Sequence, residues 1–264
     1  MSPAKKRARS YDSAKIRTAV LAQFAHVREA VAGLTGDQLS APTRLGDWTV
    51  RELAAHVTMA VGAVARGLEM PEPATHELPL LDWPSGTATE SDAIAGGTRE
   101  LAASAQPAEL FARTTARIEE ALAEAPDTRL IPTRFGAMTL ADFLVTRTVE
   151  LVVHTDDLND ALPGLGVPYD RQALAACTRL LADALAVKAP GASTEVRIPP
   201  FAVVQCVEGP RHTRGTPPNV VETDPLTWIR LATGRVGWGA ALDDAKVSAS
   251  GERADLSKLL PLMG

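Results

Sequence analysis

Four long stretches in the first 165 residues carry apolar side chains every three or four positions, and this repetition limits the fold more than any other feature. Ile16, Val20, Phe24, Val27, Val31 and Leu34 keep that spacing between Tyr11 and Leu34, the period of a helix with one apolar face. Gly36 marks its stop. In "GDWTVRELAAHV", Thr49 stands three residues before Glu52, a capping box that opens a second helix. Its stripe is Val50, Leu53, Val57, Val61, Val64 and Leu68, and Pro71 and Pro73 end it. A third helical stretch covers about 98–125, with a break suggested at Pro107. A fourth starts in "FGAMTLADFLVTRTVELVVHTDDLNDAL", where Thr139 and Asp142 resemble a second capping arrangement, and closes at "PGLGVP". Rods with one apolar stripe bury it against each other, so the spacing predicts a four-helix bundle over 11–165.

Between the second and third rods, residues 71–97 are rich in Pro, Gly, Ser and Thr and read as a long loop. Loops of that length are uncommon in compact domains and often functional, which makes this one a candidate lid. Beyond Pro168 the texture changes. One helix (about 170–188) is followed by the short β-type runs "TEVRI", "FAVVQCV" and "NVVET", a capped helix in "TDPLTWIRLATG", a strand in "KVSASG" and a last helix in "RADLSKLLPL". The fold class is therefore α plus α/β in two domains, with a small α/β domain over 166–264. Residues 1–10 form a basic tail, Lys5, Lys6, Arg7 and Arg9, expected to stay solvated and disordered.

Bulk numbers remove several function classes. The 264 residues carry a formal net charge of −5, which disfavours a nucleic-acid partner. No apolar run approaches the ~18 residues a membrane span requires. Cys177 and Cys206 are the only cysteines, too few for a disulfide scaffold or a thiolate zinc cluster, and they fit a reducing cytoplasm. There is no G-x-S-x-G elbow, Walker loop or G-x-G-x-x-G after a strand, so acyl hydrolysis, nucleotide hydrolysis and dinucleotide binding lack support. The glycine-rich segment around Trp238 reads as a turn.

The chemistry concentrates in "RTVELVVHTDDL", residues 147–158. Helical spacing puts Phe143, Arg147, Glu150, His154 and Asp157 on one face, and turns Thr148, Thr155 and Asn159 toward water. A carboxylate and an imidazole facing a core need a partner or a metal. One reading is a structural network in which Arg147 pairs with Glu150 and His154 bonds Asp157 or the backbone. The other adds His56, at the flank of the second helix, to give a two-His, one-carboxylate set of the kind that holds a catalytic divalent metal with open positions. Arg147 and Asp157 would then be the catalytic-site residues that neutralise the carboxylate or orient an imidazole. An exposed surface pair is the bland alternative for those two. His26 and His212 lack a second ligand nearby, and His76 falls in the long loop.

At these residues the sequence resembles a known family. "DWTVRELAAHV" and "RTVELVVHTDDL" are similar to the two metal-binding helices of the mycothiol-dependent maleylpyruvate isomerases, whose amino-terminal part is a DinB-like up-down four-helix bundle. The resemblance implies that His56, Glu150 and His154 bind the metal, zinc above all, and that mycothiol is the thiol cosubstrate. "TDPLTWIRLATGR" and "SASGERADLSKLLPL" are similar to the sterol-carrier-like domain fused to such bundles. Many relatives carry a W-L-x-G-R segment whose arginine serves the acidic substrate. This chain ends "LLPLMG" without it, leaving Arg197, Arg230, Arg235 or Arg253 for a carboxylate.

The resulting expectation is a cytoplasmic, metal- and mycothiol-dependent isomerase or S-transferase. Its partners would be a small thiol and a small electrophile, with carboxylate-bearing compounds among the candidates, and the protein a monomer or homodimer. Maleylpyruvate and a catalytically silent paralogue stay open alternatives. A rival from another class is a lipid or apolar-ligand carrier, with Trp228, Trp238 and "FAVVQCV" lining a tunnel.

Overall fold

The computed structural model describes residues 9–86, 91–209 and 218–263. Helix α1 spans Ser13–Ala32, capped by the Asp12 side chain, which accepts from Lys15 N. A short helix, α2 (Gly36–Leu39), follows from a Thr35/Gln38 capping box, so Gly36 starts a helix where a stop was expected. The second rod is α3 (Val50–Glu69), and its predicted capping box is present, with Glu52 accepting from Thr49 N at 2.8 Å.

The expected long loop holds over 71–79, which form no helix or strand, residues 87–90 of it lie outside the described residues, and the rest is helical. A 3₁₀ turn at Leu80–Asp82 leads into α4 (Trp83–Gly86), and α5 already begins at Ser91 (Ser91–Ser104). Trp83 is fully buried. Glu77 and Leu78 both donate backbone N–H groups to Ala137 O, at 2.8 and 3.0 Å. A large buried aromatic and these bonds anchor 77–86 to the body of the bundle. The third rod is broken as suggested: α6 (Pro107–Leu122) carries Pro107 in its first turn. Strands β1 (Leu130–Ile131) and β2 (Met138–Thr139) form a small antiparallel pair, and α7 (Leu140–Ala161) follows, with Thr139 accepting from Asp142 N.

Helices α1, α3, α6 and α7 make the bundle, with α5 as a fifth helix against α3. Helix α7 is covered on several sides, by α1, α3 and α8 (Arg171–Lys188). Thr148 and Thr155 are therefore fully buried, correcting the expectation that they face water. Their hydroxyls donate to Val145 O and Leu151 O one turn back, and Gln23 donates to Thr155 Oγ1 at 2.9 Å. Asn159 instead holds the chain reversal, donating to Val167 O and accepting from Val167 N.

The carboxy-terminal part is a four-stranded sheet in the order β4-β3-β5-β6, with β3 (Thr194–Ile198), β4 (Ala202–Cys206), β5 (Val220–Thr223) and β6 (Val247–Ser250). The β3/β4 and β5/β6 pairs are antiparallel and β3/β5 is parallel. Helix α9 (Pro225–Ala232) has the Asp224 cap and proline start read from the sequence. Trp238–Asp243, read as a turn, forms α10. No helix forms in "RADLSKLLPL". A single turn bonds Leu259 and Leu260 back to Leu256 O, Pro261 lacks the N–H to extend it, and Leu262 and Met263 bond Ala232 O instead. Helix α8 packs at once on α1, α7, β4 and α9, and one apolar core runs through all of them. Among the described residues no helix is long and apolar enough to cross a membrane.

Candidate metal centre

His56 lies two turns into α3 and Glu150 and His154 one turn apart on α7, and the packing of these two helices brings all three together. Their ligand atoms lie within 4.8 Å of one another. Glu150 Oε2 is 3.5 Å from His56 Nε2 and 3.3 Å from His154 Nε2. The network of the first reading is present, with Arg147 facing Glu150 and His154 bonded to Asp157, and the three donors of the second reading converge beside it. A charge-assisted N–H···O bond contracts to about 2.7–2.9 Å, as it does where His154 Nδ1 meets Asp157 Oδ2 at 2.9 Å. Two donors around 2.0–2.1 Å from a shared tetrahedral zinc stand about 3.3–3.4 Å apart. The two inner contacts match the coordination edge, and the donor set fits the ion.

The outer nitrogens of both rings are also occupied. Asp157, fully buried, accepts from His154 Nδ1, and His56 Nδ1 lies 3.4 Å from the buried Thr98 hydroxyl. Each contact turns Nε2 toward the shared centre, the arrangement that orients metal-bound imidazoles. The rings meet edge to face at 4.7 Å between centroids, and Trp48 lies 5.1 Å from the His56 ring. The Glu150 side chain keeps 19% exposure and the two histidines 10% each, so the centre is recessed but open.

Electrostatics favour ligand-ready protonation at two of the three positions. Burial lowers the His56 pKa, opposed by its contact with Glu150. Burial alone would raise the Glu150 carboxyl, but hydrogen bonding by His154 and His56 and the Arg147 charge hold it well below its usual range. His154 goes the other way: burial would lower it, and Asp157 and Glu150 together raise it. A metal binding at His154 would compete with a proton there.

Both supporting candidates sit beside the centre. Neither is a surface pair. Arg147 is buried between the Phe143 and Trp83 rings, 4.3 and 5.8 Å from its guanidinium carbon, and faces Glu150 Oε1 at 3.8 Å. Asp157 also accepts from Arg44 Nε at 2.7 Å and Arg235 Nη2 at 3.0 Å. Its neighbour Asp156 takes Arg44 Nη2 at 2.6 Å, Arg230 at 2.6 and 2.9 Å, and the Tyr169 hydroxyl at 3.1 Å. Of the four arginines weighed for a carboxylate, Arg230 and Arg235 come to this helix. Arg197 pairs with Glu195 and Glu222 on the sheet, and Arg253 lies beyond β6. Arg44 and Thr98 escaped the sequence reading. Arg44 stands four residues before Trp48, in a loop without periodicity, and Thr98 is an unremarkable small residue until α5 docks on α3.

Of the tunnel-lining candidates, Trp228 and the Ala202, Val204 and Cys206 of "FAVVQCV" are packed in the core, Trp238 lies at its margin and Val203 is exposed. His26 Nδ1 bonds Pro168 O. Lys5, Lys6, Arg7 and His212 lie outside the described residues.

No curated protein matches the chain. Residues 170–262 match the family described as bacterial SCP ortholog. In the solved structure of a mycothiol-dependent maleylpyruvate isomerase, 95% of the chain superposes on 93% of this one at a TM-score of 0.60 and 15% identity. A histidine-to-alanine mutant of that enzyme does so with the same coverage and TM-score at 16% identity. At such identities these likenesses establish the fold alone. Residues 20–159, more than half of the chain, match the mycothiol maleylpyruvate isomerase N-terminal domain, and the chain belongs to that family.

Proposed function

We propose that this protein is a metal-dependent, mycothiol-using isomerase or S-transferase acting on a small electrophile in a reducing cytoplasm. The observation that supports the reading is the spacing of Glu150 Oε2 from the two histidine Nε2 atoms, 3.5 and 3.3 Å, close to the donor–donor edge of a tetrahedral zinc site. A divalent ion held there, zinc first among the candidates, would keep a coordinated thiol deprotonated. The chain's own groups do the rest. Glu150 contributes negative charge, and His56 and His154 present Nε2. Asp157 fixes the His154 ring, and Arg147 offsets the Glu150 charge. The bundle, residues 11–165, supplies the donors. The sterol-carrier-like part, 166–264, contributes Arg230 and Arg235 along the Asp156–Asp157 pair.

The family match is what points to mycothiol as the thiol. The reaction's electrophile is assigned only as a class, because Arg230 and Arg235 are already paired with Asp156 and Asp157. The test is metal content together with thiol chemistry. Purified protein is expected to hold one divalent ion per chain and to lose it on His154→Ala. It is also expected either to isomerise a substrate such as maleylpyruvate only when mycothiol is present, with the thiol regenerated, or to consume mycothiol thiol with an electrophile that keeps the sulfur. Intact wild-type protein without stoichiometric metal, or a His154→Ala variant that keeps it, would refute the metal reading. Lipid co-purifying with metal-free protein would favour the carrier instead.

A further inference from the structure

The two oxygens of Glu150 do different things. Oε2 faces both histidine Nε2 atoms, at 3.5 and 3.3 Å, whereas Oε1 is turned to Arg147 Nη2 at 3.8 Å. Arg147 is not free to swing into the opening. Its Nε and Nη2 donate to Thr146 Oγ1 at 3.2 and 3.0 Å, its Nη1 donates to Ala60 O at 3.1 Å, and the Phe143 and Trp83 rings flank it. Its side chain is 6% exposed against 19% for Glu150, so it faces the carboxylate and has almost no surface to offer a substrate.

We propose that Arg147 is a positioning residue that keeps Glu150 a one-oxygen metal ligand, holding Oε1 away from the ion so that a coordination position stays open for the small-molecule thiol. This rests on the metal reading above. A carboxylate binds metals through one oxygen or both, and a catalytic zinc site has three protein ligands and a free position. With Oε1 attracted to a fixed cation, the second oxygen does not compete for that position. Thr146 and Ala60 add specificity, because they lock the guanidinium plane in a way a lysine ammonium cannot reproduce.

The test compares cobalt-loaded wild type, Arg147→Met and Arg147→Lys. Cobalt(II) reports coordination number through its visible absorption, which is strong in four-coordinate sites and weaker in five-coordinate ones. Wild type is expected to show the strong band. Arg147→Met is expected to show a weakened band as Glu150 turns both oxygens inward, with metal affinity changed by about 10- to 100-fold. Arg147→Lys should fall between the two, and a merely structural arginine would move none of these spectra. Equal spectra and affinities in all three folded proteins overturn the proposal while leaving the metal reading intact. Wild type that binds no cobalt or zinc removes both. If Arg147→Met does not fold, a structure of zinc-loaded wild type decides: one Glu150 oxygen on the ion supports the proposal, and two overturn it.

Discussion

His154 and Asp157 are joined by a 2.9 Å hydrogen bond at the imidazole nitrogen that faces away from the candidate metal. Asp157 has no solvent exposure. Its carboxyl is held well below the ordinary carboxylate range: burial works to raise it, and His154 and Arg235 outweigh that. It therefore stays an anion, able to fix the ring and increase its basicity as a ligand. Asp157→Asn keeps the shape and removes the charge. Its metal affinity is expected to drop by about 10- to 100-fold in competition with a chelator, with the fold retained by circular dichroism. Unchanged affinity would remove Asp157 from the site.

Asp156 is a different case, because it touches no ligand. It is 3% exposed and receives Arg44, Arg230 and Tyr169. Removing one member of a buried charged network leaves the others uncompensated. Asp156→Ala is expected to cost about 3 kcal/mol in urea unfolding, at the low end of such losses because Arg230 remains 41% exposed. A midpoint within error of wild type would mean that water replaces the carboxylate at no cost.

Trp83 links the segment after α3 to the centre, since its ring flanks Arg147. It is fully buried. Trp83→Ala should lose about 3–5 kcal/mol, while Trp83→Phe keeps most of the packing and should lose clearly less. Protease digestion of Trp83→Ala is expected to begin between residues 77 and 86, where the anchored segment has come loose.

Alkaline pH reports on the other end of the molecule. Burial raises the Cys206 thiol from 9.0 to about 11, so the folded state favours the neutral form. The corresponding stability is fully present below pH 9 and is lost as pH rises toward 11. The full loss is about 3 kcal/mol. Cys206→Ala should flatten that part of the stability curve relative to wild type, measured by denaturant titration from pH 8 to 11. Parallel curves for the two proteins would assign the loss to other groups.

Much of this architecture was legible because its signals are local. The Thr49/Glu52 box, the Asp224 cap with Pro225 and the alternation in "TEVRI" each specify a few consecutive backbone bonds. His56, Glu150 and His154 could be picked out because an ionisable group on an apolar stripe is conspicuous. What escaped depends on distant packing. Thr148 and Thr155 look like a water-facing strip until α1, α3 and α8 are seen to surround α7, and no pattern in "PTRLGDW" reveals that Arg44 reaches Asp156 and Asp157 over more than a hundred residues. Residues 71–79 form the loop their composition suggests, whereas 80–86 turn helical around the buried Trp83. The "RADLSKLLPL" segment fails as a helix because its apolar spacing could not outweigh Pro261 and the carbonyl of Ala232.

Helix α8 has sheet and α9 on some of its sides and α1 and α7 on others, with Ala173, Ala176, Cys177, Leu180, Leu181 and Leu185 all inside. Two stretches of sequence that match different family models thus share a common wall. Cutting the chain near 165 would strip that wall from α7, the helix bearing two of the three candidate ligands, and expose apolar surface on both halves. Melting should consequently proceed as one event, with the metal-bearing helices and the sheet lost together.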